Sequence, residues 1–207
     1  MDIAKIAPTI LAVLGAFLFR YFISKRKKDA PKKIQTFDQH LLGMGVKFDE
    51  LDKKSAPEEL GMKLSLGHKP EGLFALKGRN IDFILVTSVA SQYGVNYYIE
   101  YLIKSNFDLR KEPARKTRMS KKKKSLFRSE VVDIVWTGDS YLSQRLNMDY
   151  DLKYRLIQAV SKEFKSGILI EPDPKHGFTR IKTNYILPSQ EIFGAIDYIA
   201  RYVKSQI

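Results

Sequence analysis

The chain has 207 residues and a formal charge of +13, from 36 Lys and Arg against 23 Asp and Glu. It contains no cysteine, which excludes disulfides, thiolate metal sites, a Cys nucleophile and a lipidated Cys anchor. Residues 25–33 carry +5, residues 110–128 carry +9 and the remainder sums to −1, which excludes a uniformly basic protein in favour of a near-neutral domain with two positive segments.

Residues 6–23 (IAPTILAVLGAFLFRYFI) are apolar on every helical face as far as Phe19 and predict a single transmembrane helix. At 1.5 Å per residue they span about 27 Å, near the roughly 30 Å hydrocarbon core, with Arg20 snorkelling to one interface beside Tyr21 and Phe22. Lys25, Arg26, Lys27, Lys28, Lys32 and Lys33 follow the segment, against Lys5 alone before it. The positive-inside rule then predicts a cell-membrane protein with its N-terminus outside and its C-terminal domain cytoplasmic. A cleavable signal peptide carries its charge before the apolar core, and a core helix has a polar face; this segment has neither pattern. The expected organisation is an anchor at 1–23, a flexible basic juxtamembrane linker at 24–35 and a cytoplasmic domain at 36–207.

Between Gln35 and Gly72 the pattern predicts one or two short helices, the first started by Thr36 or Asp38, the second by the capping-box spacing of Ser55 and Glu58. GLFALKG, NIDFILVTSV and YGVNYYIEYLIK then read as strands, rich in β-branched and aromatic residues. In the third, Val95, Tyr97, Ile99, Tyr101 and Ile103 alternate with Asn96, Tyr98, Glu100, Leu102 and Lys104, so one face is apolar and the other mixed. That alternation suits an antiparallel sheet with one covered face and one partly wet face. Residues 107–130 break the rhythm with Pro113 and the quartet Lys121 to Lys124, and read as a long solvated loop with its polybasic part at 110–128.

VVDIVWTG reads as a further strand. A helix pair follows, the first capped by Asp139 or Ser140 and the second by Asp149, with Leu152, Leu156, Ile157, Val160 and Phe164 as a helical stripe ended by Gly167. ILIEPDPKHGFTRIKTNYIL predicts a hairpin whose turn is confined by Pro172, Pro174 and Gly177. Pro188 and Ser189 open a last helix with the stripe Ile192, Ile196, Ile199, Ala200 and Val203. Strands mostly follow strands, so the predicted class is α+β: a transmembrane helix, then a largely antiparallel sheet with helices on one face.

Gly138-Asp139-Ser140-Tyr141 and Asp173-Pro174-Lys175-His176 resemble the nucleophile block and downstream Asp-x-x-His of the GDSL-type esterases and lipases. That resemblance implies Ser140 as nucleophile, His176 as base and Asp173 as its orienter, and a serine hydrolase as an alternative function. It covers those eight residues only; the family's longer parallel-sheet domain and its Gly and Asn oxyanion-hole blocks have no counterpart here. The same residues read equally as a helix cap and a turn. No metal site and no cofactor are expected, because His40, His68 and His176 are isolated, Asp149-Tyr150-Asp151 lacks the rest of a calcium loop and no glycine loop cradles phosphate. Lys77-Gly78 begins like an RNA-binding strand motif and then lacks its aromatics.

The functional reading therefore falls on the cations. Arg115, Lys116, Arg118, Lys121, Lys122, Lys123, Lys124 and Arg128, with Phe127 among them, have the composition of a segment that docks on anionic lipid headgroups, assisted by Lys25, Arg26, Lys27 and Lys28. The chain is expected to be a non-enzymatic, membrane-anchored binding or scaffold domain that meets a protein partner near the bilayer. The alternative is a nucleic-acid-binding module, since phosphates reward clustered Lys and Arg equally; a single aromatic in the run argues against a stacking platform.

Overall fold

A computed structural model describes residues 3–52, 60, 68–91, 93–105, 115–125, 128–162 and 167–205. In chain order the elements are α1 (Ile3–Gly43), β1 (Phe48–Leu51), β2 (His68–Leu76), β3 (Phe83–Ser91), β4 (Gly94–Lys104), β5 (Thr117–Ser125) and β6 (Arg128–Thr137), then α2 (Ser140–Met148), α3 (Tyr150–Lys162), β7 (Leu169–Asp173), a 3-10 turn (Pro174–His176), β8 (Phe178–Asn184) and α4 (Gln190–Lys204). The strands form one eight-stranded sheet in the order β1-β2-β3-β4-β8-β7-β5-β6. Every neighbouring pair is antiparallel. The hairpin β7–β8 is thus inserted between β4 and β5, and the fold is α+β.

The two-residue period of β4 decides which side is which. Ile99, Tyr101 and Ile103 are buried in the main core with Phe37 and Leu41 of α1, Leu142 and Leu146 of α2, Leu152 and Leu156 of α3, and Ile192, Ile196 and Ile199 of α4. All four helices therefore cover one face. Gly72 lets α1 lie close to β2: an added Cβ would come within 2.9 Å of Ile34 Cδ1. On the opposite face Leu60, Leu73, Leu85, Leu102 and Phe178 make a smaller cluster, so that side is apolar near β2 to β4 and charged beyond it. The helix starts follow the expected chemistry: Asp139 Oδ1 accepts from Leu142 N at 2.9 Å, Asp149 Oδ1 from Leu152 N at 2.9 Å, and Ser189 Oγ from Ile192 N at 3.4 Å.

Three expectations need correction. Among the described residues no helix is long and apolar enough to cross a membrane, which overturns the transmembrane anchor. Instead of ending near Ile23, the helix runs unbroken for 41 residues through the basic stretch and Pro31. From Leu14 onward any span-length window takes in Arg20 and the Lys25 to Lys28 cations, while Ala30, Phe37 and Leu41 are buried. The side chains of residues 3–13, 18 and 19 lie outside the described residues. Second, residues 24–35 are helix and not a flexible linker, and the helix expected near Thr36 is the C-terminal part of α1. The Ser55–Glu58 capping box lies outside the described residues. Third, much of the expected loop at 110–128 is strand β5, paired with β6 from Arg118↔Thr137 to Ser125↔Arg128.

Strand β6 lies at the sheet's edge, where unpaired peptide groups invite another chain. The side-chain amide of Asn147 stands in for the missing strand. Its Oδ1 accepts from Trp136 N at 2.9 Å and its Nδ2 donates to Trp136 O at 2.8 Å. Asn147→Ala is expected to cost about 1–3 kcal/mol by orphaning both groups. Urea unfolding checks this, and light scattering should show concentration-dependent association of the variant.

Candidate functional site

Strand register determines which charges share an end of the sheet. Glu100 on β4 faces Lys182 on β8, Lys182 faces Leu169 on β7, and Leu169 faces Arg118 on β5. From that row β4 runs back to the β3–β4 turn at Tyr93 and Gly94, and β5 runs the same way from Met119 to Ser125. The tip of the β5–β6 ribbon and the β3–β4 turn thus point to one end.

Helix α1 reaches that end too. Phe37 packs on Phe74, the Lys33 carbonyl accepts from Tyr185 Oη at 2.6 Å, and Phe22 lies nearest Gly94. N-terminal to Phe22 the helix continues for about 28 Å at 1.5 Å per residue, and Leu14, Phe17, Arg20 and Tyr21 are exposed there. Sideways, α1 at this end rests on β4, so three or four strand spacings of about 4.8 Å separate it from the ribbon, roughly 14–19 Å.

The cations expected at 110–128 differ in what they touch. Strand alternation buries Met119 against the helices and exposes Arg118, Ser120 and Lys122; the register then shifts at Lys123, so Lys123 and Lys124 are both exposed. Lys122 Nζ lies 3.7 Å from Asp133 and Lys124 Nζ lies 3.6 Å from Glu130, both exposed pairs worth little. Arg115, Arg118 and Lys123 have no acidic partner among the described residues. Burial, and then the neighbouring charge of Lys123, push the half-buried Lys121 ammonium down from its ordinary value. Lys116 is held by Glu171, which also bonds Lys182 at 2.7 Å. Lys25 and Lys28 are exposed on α1; the side chains of Arg26, Lys27 and Arg128, and all of Phe127, lie outside the described residues.

The hydrolase residues are placed as follows. Ser140 is the first residue of α2 behind the Asp139 cap, and its carbonyl accepts from Ser143 Oγ at 3.4 Å. His176 Nδ1 lies 2.8 Å from Asp173 Oδ1, and Asp173 Oδ2 accepts from Arg180. Among the described residues no hydrogen bond joins Ser140 to His176 or Asp173. No group of three or more His, Asp or Glu side chains is placed to hold a metal ion among the described residues.

Sequence reading missed the ion network on the helix-free face. Arg180, 7% exposed, lies between Asp173 and Glu100, with its Nη1 3.5 Å from Glu100 Oε2; Glu100 is 2% exposed and also accepts from Thr87 Oγ1 at 3.4 Å. Burial pushes the Glu171 carboxyl up, but Lys116 and Lys182 together outweigh it and hold the group at about 2. The signal was available in the hairpin, because a turn at Pro174–His176 sets Glu171 opposite Arg180.

A cleft of about 730 Å³ also opens at the basic end, between α1 and the β3–β4 turn, lined among others by Lys25, Asp29, Lys33, Tyr93, Asn96 and Tyr185. Comparison with known protein families, curated proteins and solved structures finds no match for the chain.

Proposed function

We propose that this chain is a binding domain, not an enzyme, that docks one end of its sheet on anionic lipid headgroups. The observation that carries the reading is the register that brings the β5–β6 tip to the same end as the exposed cations of α1. Arg20, Lys25 and Lys28 form one basic foot, and Lys122, Lys123 and Lys124 the other. Because the feet stand farther apart than the Debye length of about 8 Å at physiological salt, they act as separate contacts whose strength comes from simultaneous engagement. At about 1 kcal/mol per cation, six cations contribute about 6 kcal/mol, a dissociation constant between millimolar and micromolar. Anionic lipids concentrate in the cytoplasmic leaflet, so that is the surface such a domain fits.

Co-sedimentation of the full chain with vesicles tests the proposal. Binding is expected to phosphatidylserine-containing vesicles over neutral ones, falling with salt, and the triple variant Lys122→Gln, Lys123→Gln, Lys124→Gln should bind roughly 100-fold more weakly. Equal binding to neutral and anionic vesicles at low salt overturns it. Retention on a DNA duplex with a steep salt slope, without vesicle binding, would transfer the same cations to the nucleic-acid reading.

A further inference from the structure

We infer that the cleft between α1 and the β3–β4 turn binds a phosphorylated polyol. Lys25, Asp29 and Lys33 recur every fourth residue, so they lie on one helix face, the outer two about 12 Å apart with the carboxylate midway. All three line the cleft, and among the described residues none of them makes an ion pair. Two cations with an unmatched carboxylate between them suit a ligand that carries both negative charge and hydrogen-bond donors. Phosphate supplies the charge and hydroxyl groups supply the donors, whereas an inorganic anion alone would meet Asp29 as a repulsion.

Lys33 is already held for this role. Its ammonium lies 4.7 Å from the Tyr185 ring centre and 5.1 Å from that of Tyr97, which fixes the charge at the cleft wall while leaving its N–H groups to donate. A cleft of about 730 Å³ is of the size that takes small ligands, and aromatic walls with a few polar groups are their usual lining. The ligand is a free sugar phosphate or the headgroup of a phosphorylated glycolipid or inositol lipid, which present the same chemistry. The inference shares Lys25 with the docking surface proposed above, but it rests on the cleft and uses none of the ribbon lysines.

Calorimetric titration of the full chain with inositol 1-phosphate, inorganic phosphate and inositol separates the cases. Inositol 1-phosphate should bind at least tenfold more tightly than either of the others. Lys33→Met should weaken it tenfold or more, and Asp29→Asn should narrow its advantage over inorganic phosphate. The Lys122, Lys123, Lys124 triple Gln variant should bind it unchanged while losing phosphatidylserine vesicles, so failure of the two proposals is told apart. Vesicles bearing phosphatidylinositol phosphate, compared with soluble inositol 1-phosphate, decide between lipid and free ligand. Equal binding of inorganic phosphate and inositol 1-phosphate, or unchanged binding by a folded Lys33→Met variant, overturns the inference; circular dichroism establishes folding, and Lys25→Met serves as the second variant should Lys33→Met misfold.

Discussion

Gly138→Ala should lower stability by more than about 4 kcal/mol, enough to drop the melting temperature by roughly 10 °C or to prevent folding outright. Gly138 has φ +124°, and an added Cβ would lie 1.9 Å from Lys116 O, 2.9 Å from Lys116 C and 3.0 Å from Thr117 Cα. All three atoms are backbone. They belong to the start of β5, where Thr117 is fully buried and paired with Ile170, so neither partner has a flexible tip to yield. Left-handed backbone strain adds to the overlap. The glycine of Gly138-Asp139-Ser140 is thus required by a close crossing of two chain segments, and the aspartate by the cap of α2. Ser140→Ala, by contrast, should unfold within about 0.5 kcal/mol of the parent, as substitutions at exposed positions do. Urea denaturation of both variants decides the matter: a folded Gly138→Ala with the parent's midpoint would refute the steric account.

What the residues disclosed in advance was local chemistry. The alternation along β4, the turn of β7–β8 and the caps Asp149 and Ser189 each depend on neighbours within a few positions, and each was legible. Length of helix was not. An apolar run followed by a Lys-rich one looks like two segments on composition, yet Lys, Arg and Gln are good helix formers, and Ile34 and Phe37 have sheet residues to pack on. Packing of that kind carries a helix through even Pro31, whose interior position costs about 3 kcal/mol in isolation. The lysine quartet misled for a related reason. Composition alone describes a solvated loop, but β6 supplies the backbone partners of β5 while a register shift at Lys123 leaves Lys122, Lys123 and Lys124 all exposed, and lysines on strands near a sheet's margin discourage unwanted pairing. The basic end of the domain lay beyond local reading altogether, since it depends on β7–β8 being inserted between β4 and β5.

Arg180→Met should cost about 3–5 kcal/mol at neutral pH, because it leaves Glu100 charged, buried and without its cation. Adding Glu100→Gln should recover much of that loss, giving a coupling energy that marks the pair and not the packing of Arg180 alone. Acid makes the distinction sharper. Burial pushes the Asp173 carboxyl up, yet hydrogen bonds and charge from His176 and Arg180 outweigh this and hold it below the ordinary carboxylate range. Its contribution is therefore complete above that range and fades as pH falls through the depressed value. Glu171, held at about 2 beside Lys116 and Lys182, adds a slope of the same sign from about pH 5 downward. Removal of Arg180 takes away its own share of what holds the Asp173 carboxyl down and leaves the share due to His176. The gap between parent and Arg180→Met should accordingly be full from pH 7 down to the ordinary carboxylate range and shrink as pH falls below about 4, as read from urea midpoints on both sides of that range. A gap that stays constant across that range would mean that Arg180 acts through packing and not through the Asp173 charge.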